Sequence, residues 1–370
     1  MPLKMHCHEK GISMNKKMKI IPIFVPHIGC PNDCVFCNQR KITGQKNVVP
    51  GKEYVRSIVE EYIKTIDEDT YREIAFFGGS FTAIDIKIQE ELLSAAKYYK
   101  DSGLVDRIRC STRPDAINDE ILQLQKRYGM DIIELGIQSL DDEVLKLSNR
   151  GHNKRQSIEA SRLIKENGFI LGHQIMPGLP GSNKEKDIET CIESIEMKPD
   201  MVRIYPTLII KDTKLYDMYE KGTYKPLALQ EAVEISAYIY SLYRVNNINV
   251  IRIGLQNTDS INEDEDVMAG PFHPAFRQLV EEKVYYAVLL SDLSKMNLAG
   301  KNIVICAPDN LISYLAGQKK ANINKLKEEL SIKQIYFKKK IDDIIEIYHD
   351  NKKLLSFHKS EIFKNYLNMQ

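Results

Sequence analysis

The sequence predicts an α/β fold: a partial (β/α)6 TIM-like barrel followed by a small C-terminal α+β module. Two observations predict it. From Lys19 to about Ile253, short β-branched or aromatic runs alternate with helical stretches, and the residues least suited to regular structure follow the runs. The runs KIIPIFV (19–25), EIAFF (73–77), RIRCS (107–111), DIIELGI (131–137), FILGHQI (169–175) and MVRIY (201–205) read as strands, and INVIRI (248–253) as a seventh. Residues 52–66, 85–100, 117–127, 153–166, 184–196 and 226–244 space apolar residues among charges and read as helices. Strands alternating with helices of this length form βαβ units in a parallel sheet with right-handed crossovers.

Loop content selects a barrel over an open sheet. His27–Cys37 follows the first strand, Gly78-Gly79-Ser80 the second, Thr112-Arg113-Pro114 the third and Gln138-Ser139 the fourth. Met176-Pro177-Gly178-Leu179-Pro180-Gly181 follows the fifth and Pro206-Thr207 the sixth. In a barrel these loops meet on the C-terminal rim, where catalytic groups gather. A doubly wound sheet would divide them about a switch point.

The 370 residues are 43% hydrophobic and 28% charged, with a net charge of +1, so no global field announces a polyanionic partner. Residues 301–370 are an exception, with thirteen lysines, no arginine and eight acidic residues. No apolar run approaches the ~18–20 residues of a membrane span. The first twenty residues lack the apolar core of a signal peptide. Residues 1–18 read as a disordered tail, in which the adjacent His6, Cys7 and His8 do not converge on one ion. Seven cysteines without an export signal imply reduced thiols and a cytoplasmic protein.

Four of those cysteines are scattered; Cys30, Cys34 and Cys37 are spaced CxxxCxxC within eight residues. Thiolates suit iron–sulfur clusters, zinc or copper. Most [4Fe-4S] clusters take four cysteines, so a cluster held by three leaves one iron open to an external ligand. The spacing alone also admits structural zinc, with His27 completing a Cys3His set.

With Phe36 directly before the last cysteine, CxxxCxxC after the first strand resembles the signature of the radical S-adenosylmethionine (SAM) superfamily. The resemblance implies a [4Fe-4S] cluster whose open iron chelates the methionine part of SAM, with the backbone at Phe36 bordering the adenine. FFGGSFT (76–82) is similar to the family's glycine-rich motif, which implies contact of Gly78, Gly79 and Ser80 with the methionine amino group. Independently, paired glycines let a backbone approach a ligand and donate its amides.

A narrower likeness lies in STRPD (111–115), ELGIQSLDDEVL (134–145), NRGH (149–152), QIMPGLPGS (174–182) and RIYPTLII-DT-LY (203–216). Together they resemble the radical core of the Elongator catalytic subunit over roughly residues 20–255. By this likeness Arg113 and Gln138 are candidates for the SAM or substrate pocket, and Met176 with its rigid turn shapes the adenine side. On residue type alone, Arg113 could equally pair with Asp115, and Gln138 could bond within the barrel mouth. The roughly 115 residues after 255 are too few for Elongator's acetyltransferase domain and its linker, so the resemblance implies the radical core alone.

Residues 256–298, with the acidic run Glu263–Asp266, read as a linker and a helix covering the barrel's open side. Residues 299–370 read as a basic module of order β-α-α-β-β: 301–308, 309–317, 321–331, 332–337 and 343–349. Between its helices, Gly317-Gln318-Lys319-Lys320 resembles the GxxG loop of KH domains, which clamps single-stranded RNA. Lys320 replaces the second glycine, and with Lys319 brings positive charge.

Three functions stay open on this reading. One is a radical SAM enzyme that reductively cleaves SAM to a 5′-deoxyadenosyl radical to modify RNA, at a tRNA base, with an electron donor such as flavodoxin or ferredoxin. The second keeps the chemistry but acts on a small molecule or tetrapyrrole. The third is a non-catalytic RNA-binding protein with structural zinc.

Overall fold

The computed structural model describes residues 17–25, 32–37, 50–255 and 266–370. Cys30, His27, the His6-Cys7-His8 triplet and most of the acidic run lie outside the described residues. The chain divides into two compact units, residues 1–227 with 248–272 and residues 228–247 with 273–370.

The first unit is built on a seven-stranded parallel half-barrel. Its strands are β1 (Met18–Val25), β2 (Tyr71–Gly78), β3 (Arg107–Thr112), β4 (Ile132–Gln138), β5 (Ile170–Ile175), β6 (Met201–Ile204) and, after the short β7 (Ile209–Ile210), β8 (Asn249–Ile253). They lie in the order β1-β2-β3-β4-β5-β6-β8, each parallel to its neighbour. The predicted strands are all present, within a residue or two at their ends. β7 pairs antiparallel with β9 (Val267–Ala269) outside this sheet.

Helices α1 (Lys52–Ile63), α2 (Ile86–Asp101), α3 (Asp119–Arg127), α4 (Asp142–Leu147), α5 (Lys154–Glu166), α6 (Lys184–Glu196) and α7 (Lys214–Glu220) belong to this unit. The short α4 and α7 went unread in the sequence. Most of the helices after β-strands begin on a side-chain cap: Asp85, Asn118, Asp141, Asn153 and Asn183 each accept a first-turn amide. Such caps satisfy donors that the helix itself leaves unpaired.

The sheet's two faces differ in chemistry. Facing the helices are Ile74, Phe76, Ile108, Ile133, Leu135, Leu171 and Val202, all buried. His173 lies on this face too, held at Nε2 by Ser161 of α5 (3.0 Å) and at Nδ1 by Ser194 of α6 (2.8 Å). Burial pushes its pKa down to about 3, so it is a neutral packing residue.

The opposite face carries a buried ladder of charge. Glu73 pairs with Arg109 (3.0 Å), Arg109 with Glu134 (3.3 Å), and Glu134 with Arg203 through Oε2 (2.5 Å) and Oε1 (3.1 Å). Gln174 adds a donor to Glu134 and another to Ser111, each at 3.2 Å. Gly172 leaves room for it, because a Cβ there would stand 2.8 Å from Glu134 Cγ. Arg203 also stands over the Phe77 ring, 5.7 Å from its centroid, although β6 and β2 are four strands apart. The sheet therefore curls toward this face.

The second unit contains α8 (Leu229–Val245), α9 (Phe276–Leu293) and a sheet of β10 (Asn302–Pro308), β11 (Gln334–Lys340), β12 (Ile344–His349) and β13 (Lys352–His358). Its order is β11-β10-β12-β13, with β10 parallel to β11 and antiparallel to β12. Helices α10 (Asp309–Ala316) and α11 (Ala321–Glu329) connect the parallel pair, and α12 (Glu361–Leu367) ends the unit. The order β-α-α-β-β is as read, extended by β13 and α12. Helix α8 stood in the sequence reading as the last barrel helix and α9 as a barrel cover; by contact both group with the C-terminal sheet. The physical tie is buried: Tyr240 of α8 donates to Glu281 of α9 (3.1 Å) and packs edge-on against Phe363 of α12 (5.2 Å).

Burial alone would push the Glu134 carboxyl up, but Arg203 and Arg109 outweigh it and lower its pKa from 4.5 to about 2. A depressed carboxylate stabilises the fold above its unfolded pKa, and that contribution is lost as pH falls from 4.5 toward about 2. Replacing Arg203 with Met leaves Glu134 with Arg109 alone and is expected to cost about 3 kcal/mol in urea unfolding at pH 7, the low end for breaking a buried pair. The same variant should lose less of its remaining stability than the wild type between pH 5 and pH 3.

Candidate active site

The cysteine loop is clamped by two other segments. Val35 N donates to Ser148 O (3.1 Å), and Asn149 Nδ2 to Asp33 O (2.8 Å). From the other side Leu215 N donates to Val35 O (2.7 Å), and Lys214 pairs with Asp33 (3.0 Å). Val35 is buried with Ile209 and Leu215, and Phe36, Tyr216 and Tyr224 pack around them. Gly151, at φ +71°, lets the chain after α4 pass close beneath the loop; a Cβ there would stand 2.2 Å from Asn32 Nδ2. The NRGH segment is thus a cradle for the cysteine loop.

Two arginines point into this cradle. Cys34 is 4% exposed, and its sulfur has Arg150 Nη1 at 3.2 Å and Arg113 Nη1 at 3.9 Å. Arg113 forms a bidentate pair with Asp115 (2.8 and 3.0 Å) and donates to the Arg150 carbonyl. Cys34 and Cys37 are both free of disulfides. Among the described residues no three His, Cys, Asp or Glu side chains converge as a metal site, and Cys30 lies outside them. What the described part supplies is two thiols of the triplet and cationic N–H donors aimed at one sulfur. That is a donor set for a thiolate, and it fits an anionic cluster.

The remaining residues singled out in the sequence lie on the rim. Gly78 ends β2 at φ +101°, and Gly79 N donates to Val25 O (3.0 Å) at the end of β1. Ser80 is buried at the start of a short 3-10 turn. Two residues on, Thr82 shares a hydroxyl–hydroxyl bond with Thr112 (2.6 Å) and donates to Ala116 O (2.7 Å), tying the glycine motif to STRPD. Gln138 takes φ +62° at the end of β4, and its carbonyl accepts from Met176 N (2.9 Å). Gln138 Oε1 is buried without a hydrogen-bond partner among the described residues. A Cβ at Gly136 would come 2.9 Å from Gln138 Nε2.

The MPGLPG turn is held by a residue that the sequence reading missed. Asp187 of α6 accepts from Gly178 N (3.0 Å) and Ser182 Oγ (2.6 Å), while Tyr224 donates to Gly178 O (2.6 Å). Its apparent signal was only one acid among several in α6. Burial pushes the Asp187 pKa from 3.8 up to about 7, against the pull of its two donors. Arg150 and His152 were also missed as individuals, though their motif was noted. Burial, then the neighbouring Arg150, lowers the His152 pKa to about 3, leaving a neutral imidazole.

These features define a class. The chain matches the model of the Radical SAM superfamily over residues 24–194 and that of the Radical_SAM C-terminal domain over residues 199–286. It is 32% identical over 234 residues to an uncharacterized protein of Methanocaldococcus jannaschii, a match spanning 59% of this chain and 70% of that protein. The chain belongs to the radical SAM superfamily and is an enzyme of that class.

Its relatives are Elongator-like. It is 35% identical over 190 residues to the tRNA uridine(34) acetyltransferase of Methanocaldococcus jannaschii, covering 46% of this chain and 35% of that protein. To the Elongator complex protein 3 of Homo sapiens it is 36% identical over 138 residues, 36% of this chain and 25% of that protein. It thus spans well under two thirds of these relatives' length. Among solved structures, the archaeal Methanocaldococcus infernus Elp3 superposes with a TM-score of 0.57 at 24% identity, over 72% of this chain and 62% of that one, a likeness of fold.

Two outcomes follow from the geometry. Gly151→Ala, forced into a left-handed conformation that costs about 1–2 kcal/mol, should speed amide exchange at Val35 and Leu215 while α8–α12 exchange unchanged. An acid raised above its unfolded pKa destabilises the fold as pH rises, here between 3.8 and about 7. Wild-type Tm should therefore fall more between pH 5 and pH 8 than that of Asp187→Asn.

Proposed function

We propose that this protein is a radical SAM enzyme that modifies tRNA, with Cys30, Cys34 and Cys37 as the ligands of a [4Fe-4S] cluster. The observation that carries the reading is the pair of guanidinium groups directed at Cys34 sulfur on the C-terminal rim of a parallel half-barrel. When bound and reduced, the cluster supplies the electron that splits SAM into methionine and a 5′-deoxyadenosyl radical.

The chain's own residues bind and orient. Gly78 and Gly79, with Ser80 behind them, present backbone at the methionine end. Phe36 and Met176 bound the adenine, and the Met176 turn is fixed from below by Asp187 and Tyr224. Gln138, whose buried amide oxygen has no hydrogen-bond partner among the described residues, accepts from the cofactor or substrate. Arg113, fixed by Asp115, braces the cysteine loop through the Arg150 carbonyl and its approach to Cys34 Sγ. The electron donor is a small protein such as flavodoxin or ferredoxin, and reduced thiols suit the cytoplasm.

Support for tRNA as substrate comes from the names of the relatives, tRNA uridine(34) acetyltransferases among them. The second unit offers a place for its backbone. Gly317, Lys319 and Lys320 turn α10 into α11, and all three take positive φ. Lys320, standing where a KH loop has its second glycine, adopts the left-handed conformation itself (φ 64°, ψ 25°). Gly317 allows the tight return, since a Cβ there would stand 2.7 Å from Asn322 N. Both lysine side chains are exposed at a helix N-terminus, a setting that favours phosphate.

Anaerobic reconstitution with iron and sulfide, followed by dithionite and SAM, is expected to yield 5′-deoxyadenosine from wild type and none from Cys34→Ala or Cys37→Ala. A colourless protein loaded with zinc would overturn the reading. Nucleoside mass spectrometry of tRNA with and without the gene should reveal one missing modified base, and uridine 34 is the first place to look. Lys319→Ala/Lys320→Ala should weaken tRNA binding and reduce the log–log salt slope by about 1–2.

A further inference from the structure

Arg150 is 6% exposed. Nη1 is 3.2 Å from Cys34 Sγ, Nη2 donates to Gly136 O at 2.6 Å, and the guanidinium stands over the Phe36 ring, 5.8 Å from its centroid. Arg113 braces it by donating to its main-chain carbonyl. Gly136 lies directly beside it, an added Cβ there being in van der Waals contact with Arg150 Nη2 at 3.4 Å. Ion pairs around the loop among the described residues are Arg113–Asp115 and Lys214–Asp33, neither of which includes Arg150. A buried guanidinium without a carboxylate is costly unless another anion faces it. The group that Arg150 faces is the Cys34 sulfur.

We propose that Arg150 is a positioning residue that donates an N–H to the Cys34 thiolate and thereby raises the reduction potential of the bound [4Fe-4S] cluster. The proposal rests on the cluster assignment made above. Three thiolates and a 2+ core carry a net charge of −1; one electron from an external donor takes the core to 1+ and the net charge to −2. No bond to Arg150 forms or breaks, and no proton moves. A fixed cation and an N–H···S bond favour the more negative state, and both are recognised determinants of cluster potential. The Phe36 ring and the Gly136 carbonyl hold the guanidinium in this pose, so it cannot relax away when the cluster charge changes. Lysine at this position would keep the charge and lose the planar fork that reaches sulfur and carbonyl together.

The test is a potentiometric titration, followed by electron paramagnetic resonance, on the full-length protein reconstituted anaerobically without SAM. At a fixed ambient potential near the wild-type midpoint, Arg150→Gln is expected to lower the reduced-to-oxidised ratio at least tenfold, equivalent to about 59 mV for one electron. Arg150→Lys should fall between Arg150→Gln and wild type, which a purely structural role would not produce. If Arg150→Gln retains no cluster, the Arg150→Lys midpoint decides, and a shift to lower potential supports the proposal. Variant midpoints equal to that of wild type overturn the role of Arg150 and leave the cluster assignment standing. Wild-type protein that takes up no four-iron cluster overturns both.

Discussion

The half-barrel depends on a charge ladder buried inside it. Glu73, Arg109, Glu134 and Arg203 come from four different strands, and none of them is more than slightly exposed. Buried charges are tolerated only when paired in good geometry. The ladder therefore constrains register: Arg203 reaches Glu134 only if β4, β5 and β6 are correctly staggered and Gly172 leaves a gap between them. Because Arg203 also meets Phe77 across the curl of the sheet, satisfying these charges and curling the barrel are one event. Arg203 Nη1 also donates to the hydroxyl of Tyr205 (3.4 Å), which carries the ladder to the C-terminal end of β6.

The cysteine loop is positioned by its neighbours. Backbone bonds from Ser148 and Leu215 hold Val35, and the arginines converge on Cys34. In cofactor-dependent enzymes the cofactor supplies reactivity and the protein supplies orientation, which takes this kind of restraint. The Met176 turn is fixed in the same way, through Asp187 and Tyr224 on Gly178.

Much of this was legible in the sequence, for a physical reason. Parallel strands buried on one face by helices read as β-branched runs, and the helices between them as apolar residues spaced among charges. All seven strands of the sheet were visible in this way. The terminal strand Lys352–His358 was not, because it sits at the sheet's edge and is largely exposed, leaving little alternation to read. Helix α12 was missed for its seven-residue length, although Ile362, Phe363 and Tyr366 are buried. Helix α8 was read as a helix, but its apolar face is wide, and periodicity cannot say which unit a wide face will join.

By itself, the sequence determined the order of strands and helices, the thiol triplet with its spacing, and the gathering of unusual residues after each strand. These are local properties: periodicity, spacing and turn chemistry act over a few residues and survive without partners. The tertiary structure decided what no window of sequence contains. It selected Arg150, 116 positions from Cys34, as the nearer of the two cations at that sulfur. It made Asp187, one acid of several on its helix, the anchor of a distant turn, and it gave Glu134 two arginines. Each of these is a contact between segments far apart in the chain, and its strength comes from burial, which exists only once the half-barrel has formed.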